Sequence, residues 1–263
     1  MLTRNFIFMS DNQIHPFPMT EEFVECWNAA GRHLDLRVKD TGARWLRAEL
    51  PVFREHFSFS LGNQLFFIQV YNVDAPENGW LHKGRLEMAI EDANGVGCLM
   101  PMRYHAGVWQ ADSTGWGLLR ATDLSSINPI ESVSDEPVYM NEWEIHDYGL
   151  QVVRQHLVKS GWNIDSWISD PRIQPALFAE HSGKLCGFVI STSNKGPDHG
   201  ARPDNASQIA ERLRAQGFGA KFVGLKVGSL DDIVTLDPRL QHLTRKLLRG
   251  GQLIASEVEI QDL

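Results

Sequence analysis

The polar loop at residues 193–204, SNKGPDHGARPD, contains residue types that can perform metal-dependent chemistry. Its candidates are Lys195, Asp198 and His199. Carboxylate oxygens bind divalent cations such as Mg²⁺, and a lysine beside such a cation can orient water or stabilise charge. Polar loops of this kind are more often simply solvated. The loop is therefore a candidate site only if neighbouring elements bring further acids to it.

Standard catalytic motifs are missing from the chain. No dinucleotide-binding glycine motif, P-loop, zinc-protease HExxH or GxSxG occurs. The ten histidines are scattered, and His146 and His156 lie ten residues apart, so a shared metal is not expected. The three cysteines, Cys26, Cys98 and Cys186, form no CxxC pair and are expected to be small buried hydrophobic residues.

Composition and charge set the class of protein. Hydrophobic residues make up 43% of the 263 residues, which is enough for a sizeable core. The formal net charge is −8, which disfavours a nucleic-acid partner held by phosphate contacts. No apolar run approaches the roughly 18 residues of a membrane span, so no membrane contact is expected. We expect a cytoplasmic protein whose partner is another protein or a second copy of the chain.

The N-terminal half, residues 1–137, is predicted to be a β-rich domain with one helix. Residues 20–32 form an amphipathic helix in which Thr20 is the N-cap. Short strand-like runs follow, and no repeat is visible among them. Gly62-Asn63 and Asn94-Gly95 each indicate a hairpin turn. The hairpins predict a curved antiparallel sheet, and the proline- and serine-rich stretch 125–141 predicts an exposed connector.

The C-terminal half, residues 138–263, is predicted to be a mixed α/β domain, so that the fold class of the whole chain is α+β. A helix begins after Asn141 and ends before Gly161. Strands follow at about 162–167, 176–180 and 185–192, with a turn at Ser182-Gly183. A second helix, capped by Asp204 or Asn205, precedes a strand at 220–227. The order of elements is α-β-β-β-α-β. The segment RLQHLTRKLLRGG at 239–251 predicts a basic C-terminal helix that docks on the domain. The functional alternative to docking is that this helix contacts a phosphate group or an acidic partner.

That order, over roughly residues 141–232, resembles the core of the PD-(D/E)xK (restriction-endonuclease-like) nucleases. The most telling stretch is ALFAEHSGKLCGFVIST at 176–192. In that family, an Asp and a Glu on adjacent strands bind a divalent cation, and a lysine two residues beyond the Glu lies on the same side of its strand. The resemblance places the Asp at Ala176, the Glu at Val189, the Lys at Ser191 and an assisting helix Glu near Leu150. The resemblance therefore implies the fold without the metal-binding triad.

Two interpretations of this missing triad remain open. In the first, the domain is a degenerate nuclease fold kept for its shape, with Ala176 and Val189 simply buried. In the second, the active site has moved and binds Mg²⁺ through other residues. The candidates for a relocated site are Glu144, Asp147, Asp170, Glu180, Lys195, Asp198 and His199.

The leading hypothesis is a non-catalytic binding or assembly module that needs no cofactor. One alternative is a metal-dependent nuclease or phosphodiesterase with relocated carboxylates. A third hypothesis is a small-molecule sensor whose N-terminal sheet forms a pocket around Trp80, Tyr104 and Trp109.

Overall fold

The computed structural model of the chain describes residues 20–47, 57–76, 86–87, 90–91, 93–194, 199–230 and 246–263. These residues are mixed α and β, as predicted, and they fall into two compact units. The N-terminal unit consists of the described residues of His15–Asn141 and Leu248–Gly250, and the C-terminal unit of those of Glu142–Leu247 and Gly251–Leu263. In the part of the chain so described, no helix has the length and hydropathy that crossing a bilayer requires.

The N-terminal unit begins with helix α1, Glu21–Val38. The predicted cap is confirmed, because the Thr20 hydroxyl accepts a hydrogen bond from the Phe23 amide at 3.1 Å. The helix continues six residues beyond the predicted end, and its buried face packs on the sheet. The Trp27 ring stacks on Phe57 with centroids 3.7 Å apart. Cys26, one of the three predicted buried thiols, lies on the same face, and Cys98 and Cys186 are buried as well.

The N-terminal sheet has the order β1-β2-β3-β4-β5, with β6 paired to β4. The strands are β1 Arg44–Arg47, β2 Phe57–Leu61, β3 Gln64–Asn72, β4 Val96–His105, β5 Val108–Ala111 and β6 Leu119–Arg120. The predicted hairpin at Gly62-Asn63 is confirmed, since Leu61 pairs with Gln64. The prediction of a purely antiparallel sheet is wrong, because β3 and β4 are parallel.

The error lies at Asn94-Gly95. The sequence pattern predicts a strand at 85–91 that turns back at this pair, but the described residues of the stretch, Leu86, Glu87, Ile90, Glu91 and Ala93, are helical. Asn94 has a φ of 47°, the left-handed conformation that commonly ends a helix. The same Asn-Gly signal thus ends a helical connection, which is the kind of crossover that two parallel strands require.

The C-terminal unit has the predicted order of elements. Helix α2 is Glu142–Lys159, and it is followed by β7 Asn163–Trp167, β8 Leu177–His181 and β9 Lys184–Ser193. Helix α3, Ala206–Ala215, leads to β10 Gly219–Ser229, and the chain ends with β11 Leu253–Ala255 and β12 Gln261–Asp262. Both residues of the predicted turn, Ser182 and Gly183, have positive φ values, as a tight hairpin turn needs.

The two sheets share one topology. In the C-terminal sheet β7, β8 and β9 are successively antiparallel, and β10 joins β9 in parallel after a helical crossover. In the N-terminal sheet β1, β2, β3 and β4 have the same directions in the same order. The hairpins agree in register, because Leu61 pairs with Gln64 and His181 with Lys184. The chain therefore contains the arrangement α-β-β-β-α-β twice, although no repeat is visible in its sequence.

The described part of the predicted basic C-terminal helix is not helical. Residues 231–245 lie outside the described chain, and Lys246–Gly250 is not helical. Leu248 instead forms a β-bridge with Tyr139, and the Arg249 amide donates to the Val138 carbonyl at 2.8 Å. The end of the predicted connector is thus held by backbone hydrogen bonds to Leu248 and Arg249. The Arg249 side chain is buried, so it is not available for the predicted phosphate contact.

Gly149 in α2 and Gly31 in α1 give a matched pair of helical glycines with opposite expected effects. A Cβ on Gly149 would overlap the Thr192 methyl group on β9, whereas a Cβ on Gly31 would lie 3.5 Å from the Phe57 ring, an ordinary contact. We expect Gly149→Ala to lower the free energy of unfolding by about 1–3 kcal/mol. Gly31→Ala should raise it by about 0.5–1 kcal/mol, because alanine favours helices.

Urea unfolding of both variants beside the parent protein measures the two signs. A stabilising Gly149→Ala would show that α2 does not approach β9 closely.

Candidate functional site

The four positions that the nuclease resemblance singles out carry no group that binds a metal as the family does. Leu150 and Ala176 are completely buried in the hydrophobic cluster formed around α2, together with residues such as Val153. Val189 is also completely buried, but in the cluster that packs around α3. Ser191 is half-buried at the far end of β9. Three of the four positions are therefore filled by core side chains.

A cavity of about 280 Å³ lies beside this end of β9. Its walls come from four parts of the C-terminal unit: the first turns of α2, the loop between β7 and β8, the end of β9, and the loop before α3. The lining residues are Glu142, Ile145, His146, Pro171, Gln174, Ile190, Ser191, Thr192, Ser193, Asn194 and Pro203. Clefts outside the carboxyl ends of parallel strands are common ligand sites in α/β folds, and β9 is the strand that runs parallel to β10.

Gln174 closes the gap that β8 leaves along the edge of β9. Its side-chain NH₂ group donates to the Ile190 carbonyl at 2.9 Å, and its side-chain oxygen accepts from the Ile190 amide at 3.2 Å. A primary carboxamide has one donor and one acceptor face, like a peptide group. Gln174 therefore occupies the place of one more residue of β8, and this places its side chain in the cavity wall.

His146 contributes a buried imidazole to the same wall. The residue is 2% exposed, and its Nε2 atom has no hydrogen-bond partner among the described residues. Burial lowers the pKa of His146 from 6.5 to about 4, and the nearby Asp170 carboxyl opposes that shift only in part. The imidazole is thus neutral at pH 7 and can either donate or accept one hydrogen bond through Nε2.

The buried imidazole should make stability depend on pH. Because the pKa of His146 is about 4 in the folded protein and 6.5 for a free histidine, the unfolded chain binds the proton first as the pH falls. The contribution of the neutral His146 to the free energy of unfolding is therefore fully present above pH 6.5 and is lost as the pH falls towards 4. The expected loss at pH 5 is about 2 kcal/mol.

His146→Phe, which keeps a ring but cannot titrate, should abolish that part of the pH dependence. Urea unfolding of parent and variant at pH 7 and pH 5 gives the difference. Equal losses in both proteins would show that His146 does not titrate as its burial implies.

Two of the predicted catalytic acids, Asp147 and Glu144, are buried on α2. Asp147 is 1% exposed, and its Oδ1 atom accepts hydrogen bonds from the Ser169 hydroxyl at 2.5 Å and from the Gln151 amide at 3.4 Å. Glu144 is 5% exposed and also lies on the buried side of the helix. Neither residue is among the cavity lining. Their burial on α2 separates them from the solvent-filled space that a metal and its water would need.

Asp170 and Glu180 are not brought together with each other. The Asp170 carboxylate is bound by the guanidinium of its neighbour Arg172, with contacts of 2.9 and 2.8 Å. Glu180 pairs with Leu185 beside the hairpin turn, at the opposite end of β9 from Ser191. Six residues of strand separate Leu185 from Ser191, which is about 20 Å. Glu180 is therefore far from Ser191 along the strand, and a role for it in a relocated site stays a prediction.

The predicted loop supplies one residue that can be described. The Nδ1 atom of His199 lies 3.3 Å from the Gly224 carbonyl and 3.2 Å from the Ser256 hydroxyl, so the ring is exposed but held against β10. Lys195 and Asp198 lie outside the described residues. Within the described ranges, no three or more histidine, cysteine or acidic residues are grouped so that they could hold a metal ion.

Two of the three residues proposed for an N-terminal pocket, Tyr104 and Trp109, lie on one hairpin. Tyr104 on β4 is directly opposite Trp109 on β5, with ring centroids 5.3 Å apart. Trp109 packs into the hydrophobic cluster around α1, whereas Tyr104 is exposed. Trp80 lies outside the described residues. The space behind Trp109 is thus filled by core side chains.

Sequence reasoning missed the residues that line the cavity, apart from Ser191 and the start of the polar loop, Ser193 and Asn194. Glu142, Gln174 and Thr192 belong to no motif. One signal was available: the apolar run FVI of β9 changes to the polar run STSN before the strand ends. A polar end on a buried strand indicates that the strand emerges at an edge or a cleft.

Comparison with known proteins gives one match. A family model described as "Domain of unknown function (DUF8840)" matches residues 143–262, which is less than half of the chain. The match begins in the first turn of α2 and ends in β12, so its limits coincide with the first and last elements of the C-terminal unit. No curated protein and no solved structure matches the chain.

Proposed function

We propose that the C-terminal unit is a nuclease-like fold that binds a ligand and does not cut one. The observation that supports this most directly is the burial of Leu150, Ala176 and Val189 in hydrophobic clusters. A carboxylate at any of these positions would have to be desolvated, which costs several kcal/mol without a bound cation. The apolar residues stabilise the fold at the places where the family binds its metal.

The topology supports the nuclease-like part of the proposal. The order α-β-β-β-α-β, with an antiparallel hairpin β8–β9 followed by a parallel pair β9–β10, is the arrangement that the resemblance implies. The N-terminal unit has the same strand order and directions, but the resemblance and the proposal concern the C-terminal unit.

The cavity at the end of β9 supports the binding part. Its polar lining residues include Gln174, Ser191 and Asn194, whose side chains carry hydroxyl and amide groups. No lysine or arginine is among the described residues that line it, and Glu142 stands exposed beside it. Phosphate groups are held by cations or helix N-termini, and here the first turn of the helix carries acids. A nucleic-acid ligand is therefore disfavoured at this site.

Incubation of the full chain with single- and double-stranded DNA and RNA, with Mg²⁺ or Mn²⁺ added, tests the proposal. We expect no cleavage above that of a protein-free control. We also expect no salt-dependent binding of a fluorescein-labelled oligonucleotide by anisotropy.

Metal-dependent cleavage that disappears in Glu142→Gln, Asp170→Asn or Asp198→Asn would overturn the proposal and establish a relocated active site. Asp35→Asn serves as the matched control, because Asp35 lies on α1 and outside the cavity.

A further inference from the structure

We propose that the ligand of this cavity is an extended peptide, whose main chain pairs with the edge of β9 at Thr192. This inference rests on the proposed binding function and names the chemical class of its ligand. The peptide continues, by one or two residues, the antiparallel ladder that β8 begins and the Gln174 side chain extends.

The edge is identified by the alternation of backbone groups along β9. The Phe188 carbonyl accepts from the Ala176 amide at 2.9 Å, so Phe188 faces the β8 side. Ile190 uses the same side for its two bonds with Gln174. Peptide groups of a strand alternate between its two neighbours, so the next residue to face this side is Thr192. Thr192 lines the cavity, beyond the reach of β8, which starts at Leu177.

Gln174 indicates the chemistry that fits this edge. At Ile190 the strand is bound by a carboxamide, which presents a donor and an acceptor side by side. The group that would fit at Thr192 must also carry a donor and an acceptor at strand spacing. A peptide main chain has both, and strand addition at a sheet edge is a common mode of peptide recognition.

The remaining walls provide for the ligand's other polar groups. The neutral His146 imidazole, 2% exposed, has a buried Nε2 atom without a hydrogen-bond partner among the described residues. A buried polar atom of this kind costs free energy until it is paired. A carbonyl or amide of the peptide would pair it, and the hydroxyl of Ser191 can pair a second group of the ligand.

The charge of the lining disfavours anionic ligands and is compatible with a neutral or basic peptide. The lining residues in the described chain include one carboxylate, Glu142, and no cationic side chain. Anionic ligands would therefore meet repulsion without compensation. A neutral or basic peptide meets none, and a lysine or arginine of that peptide could pair with Glu142 at the exposed edge of the cavity.

The test is a titration of the ¹⁵N-labelled full chain with a pool of acetylated, amidated hexapeptides of randomised neutral and basic sequence. We expect amide shifts at Ser191–Asn194 and at the Gln174 side chain, at millimolar peptide. The Ser182-Gly183 turn, at the other end of the same strands, should not shift. A titration with a phosphorylated peptide pool or a short oligonucleotide should leave Ser191–Asn194 unchanged.

Two variants at one position isolate the backbone contact. Thr192→Pro removes the amide donor and should weaken binding by about tenfold. Thr192→Val keeps the amide and the branched shape and should bind within about threefold of the parent protein. Should Thr192→Pro not fold, intermolecular contacts between the Thr192 amide proton and peptide backbone protons in the parent protein decide the matter.

The outcomes separate the two proposals. If no cleavage is seen, three results overturn the peptide inference and leave the binding function standing. These are an absence of shifts at Ser191–Asn194, shifts confined to other residues, and equal binding by folded Thr192→Pro. Stronger shifts from the oligonucleotide also overturn it. Metal-dependent cleavage overturns the proposed function itself.

Discussion

Arg249→Met is expected to lower the free energy of unfolding of the N-terminal unit by about 3 kcal/mol. The Arg249 side chain is 7% exposed, and its guanidinium donates to the Ala93 carbonyl at 2.8 Å and to the Asn94 carbonyl at 3.1 Å. These carbonyls belong to the end of a helical segment, where backbone acceptors have no partner within the helix. Methionine fills similar space but leaves both acceptors without this donor. Urea unfolding followed by tryptophan fluorescence measures the loss.

A graded control is available at the same position. Arg249→Lys keeps the charge but cannot span both carbonyls with a planar fork, so it should lose an intermediate amount of stability. Lys246→Met removes an exposed cation of the same basic segment and should change stability by about 0.5 kcal/mol or less. If Arg249→Met keeps its stability but loses salt-dependent affinity for an anionic partner, Arg249 is a binding residue and its structural role is refuted.

Asp147→Ala is expected to destabilise the C-terminal unit by about 3 kcal/mol. The carboxyl group is buried between α2 and the loop after β7, where the Ser169 hydroxyl donates to it at 2.5 Å. Alanine removes the acceptor, leaves the fully buried Ser169 hydroxyl without it, and opens a small void. Asp147→Asn keeps an acceptor oxygen and should cost about half as much. The measurement is urea unfolding at pH 7.

The Ser169→Ala variant completes a double-mutant cycle. We expect a coupling free energy of about 1.5–3 kcal/mol between Asp147 and Ser169, because the two side chains share one short hydrogen bond. A relocated nuclease site makes the opposite prediction for Asp147→Asn: unchanged stability together with abolished metal-dependent cleavage. The cycle and a cleavage assay on the same variants therefore distinguish a structural carboxyl group from a catalytic one.

Local signals in the sequence predict helix ends and turns well in both units. Thr20 as a helix cap, Gly161 as a helix end and Ser182-Gly183 as a turn are all confirmed by hydrogen bonds or positive φ values. These signals depend on the conformational preferences of one or two residues, which tertiary context seldom overrides. The apolar runs between them then become strands of the predicted order.

The Asn94-Gly95 pair shows where local information fails. An Asn-Gly pair supports positive φ both in a hairpin turn and at the end of a helix, and only the partner of β4 distinguishes the two. That partner is β3, which pairs in parallel from Phe66–Val96 to Asn72–Met102. The pairing is set by packing over a distance of about thirty residues, which a local pattern does not contain.

The amino-acid sequence by itself determined the positions of caps and turns, the predominantly apolar strands, and the absence of acids at Ala176, Val189 and Leu150. Only the tertiary structure decided that the same arrangement of elements occurs twice, and that Asp147 and Glu144 are buried on α2. It also placed Gln174, His146 and Thr192 around one cavity. The physical reason is that hydrogen-bonding partners such as Gln174 and Ile190 are selected by packing between distant segments, while residue propensities act over only a few positions.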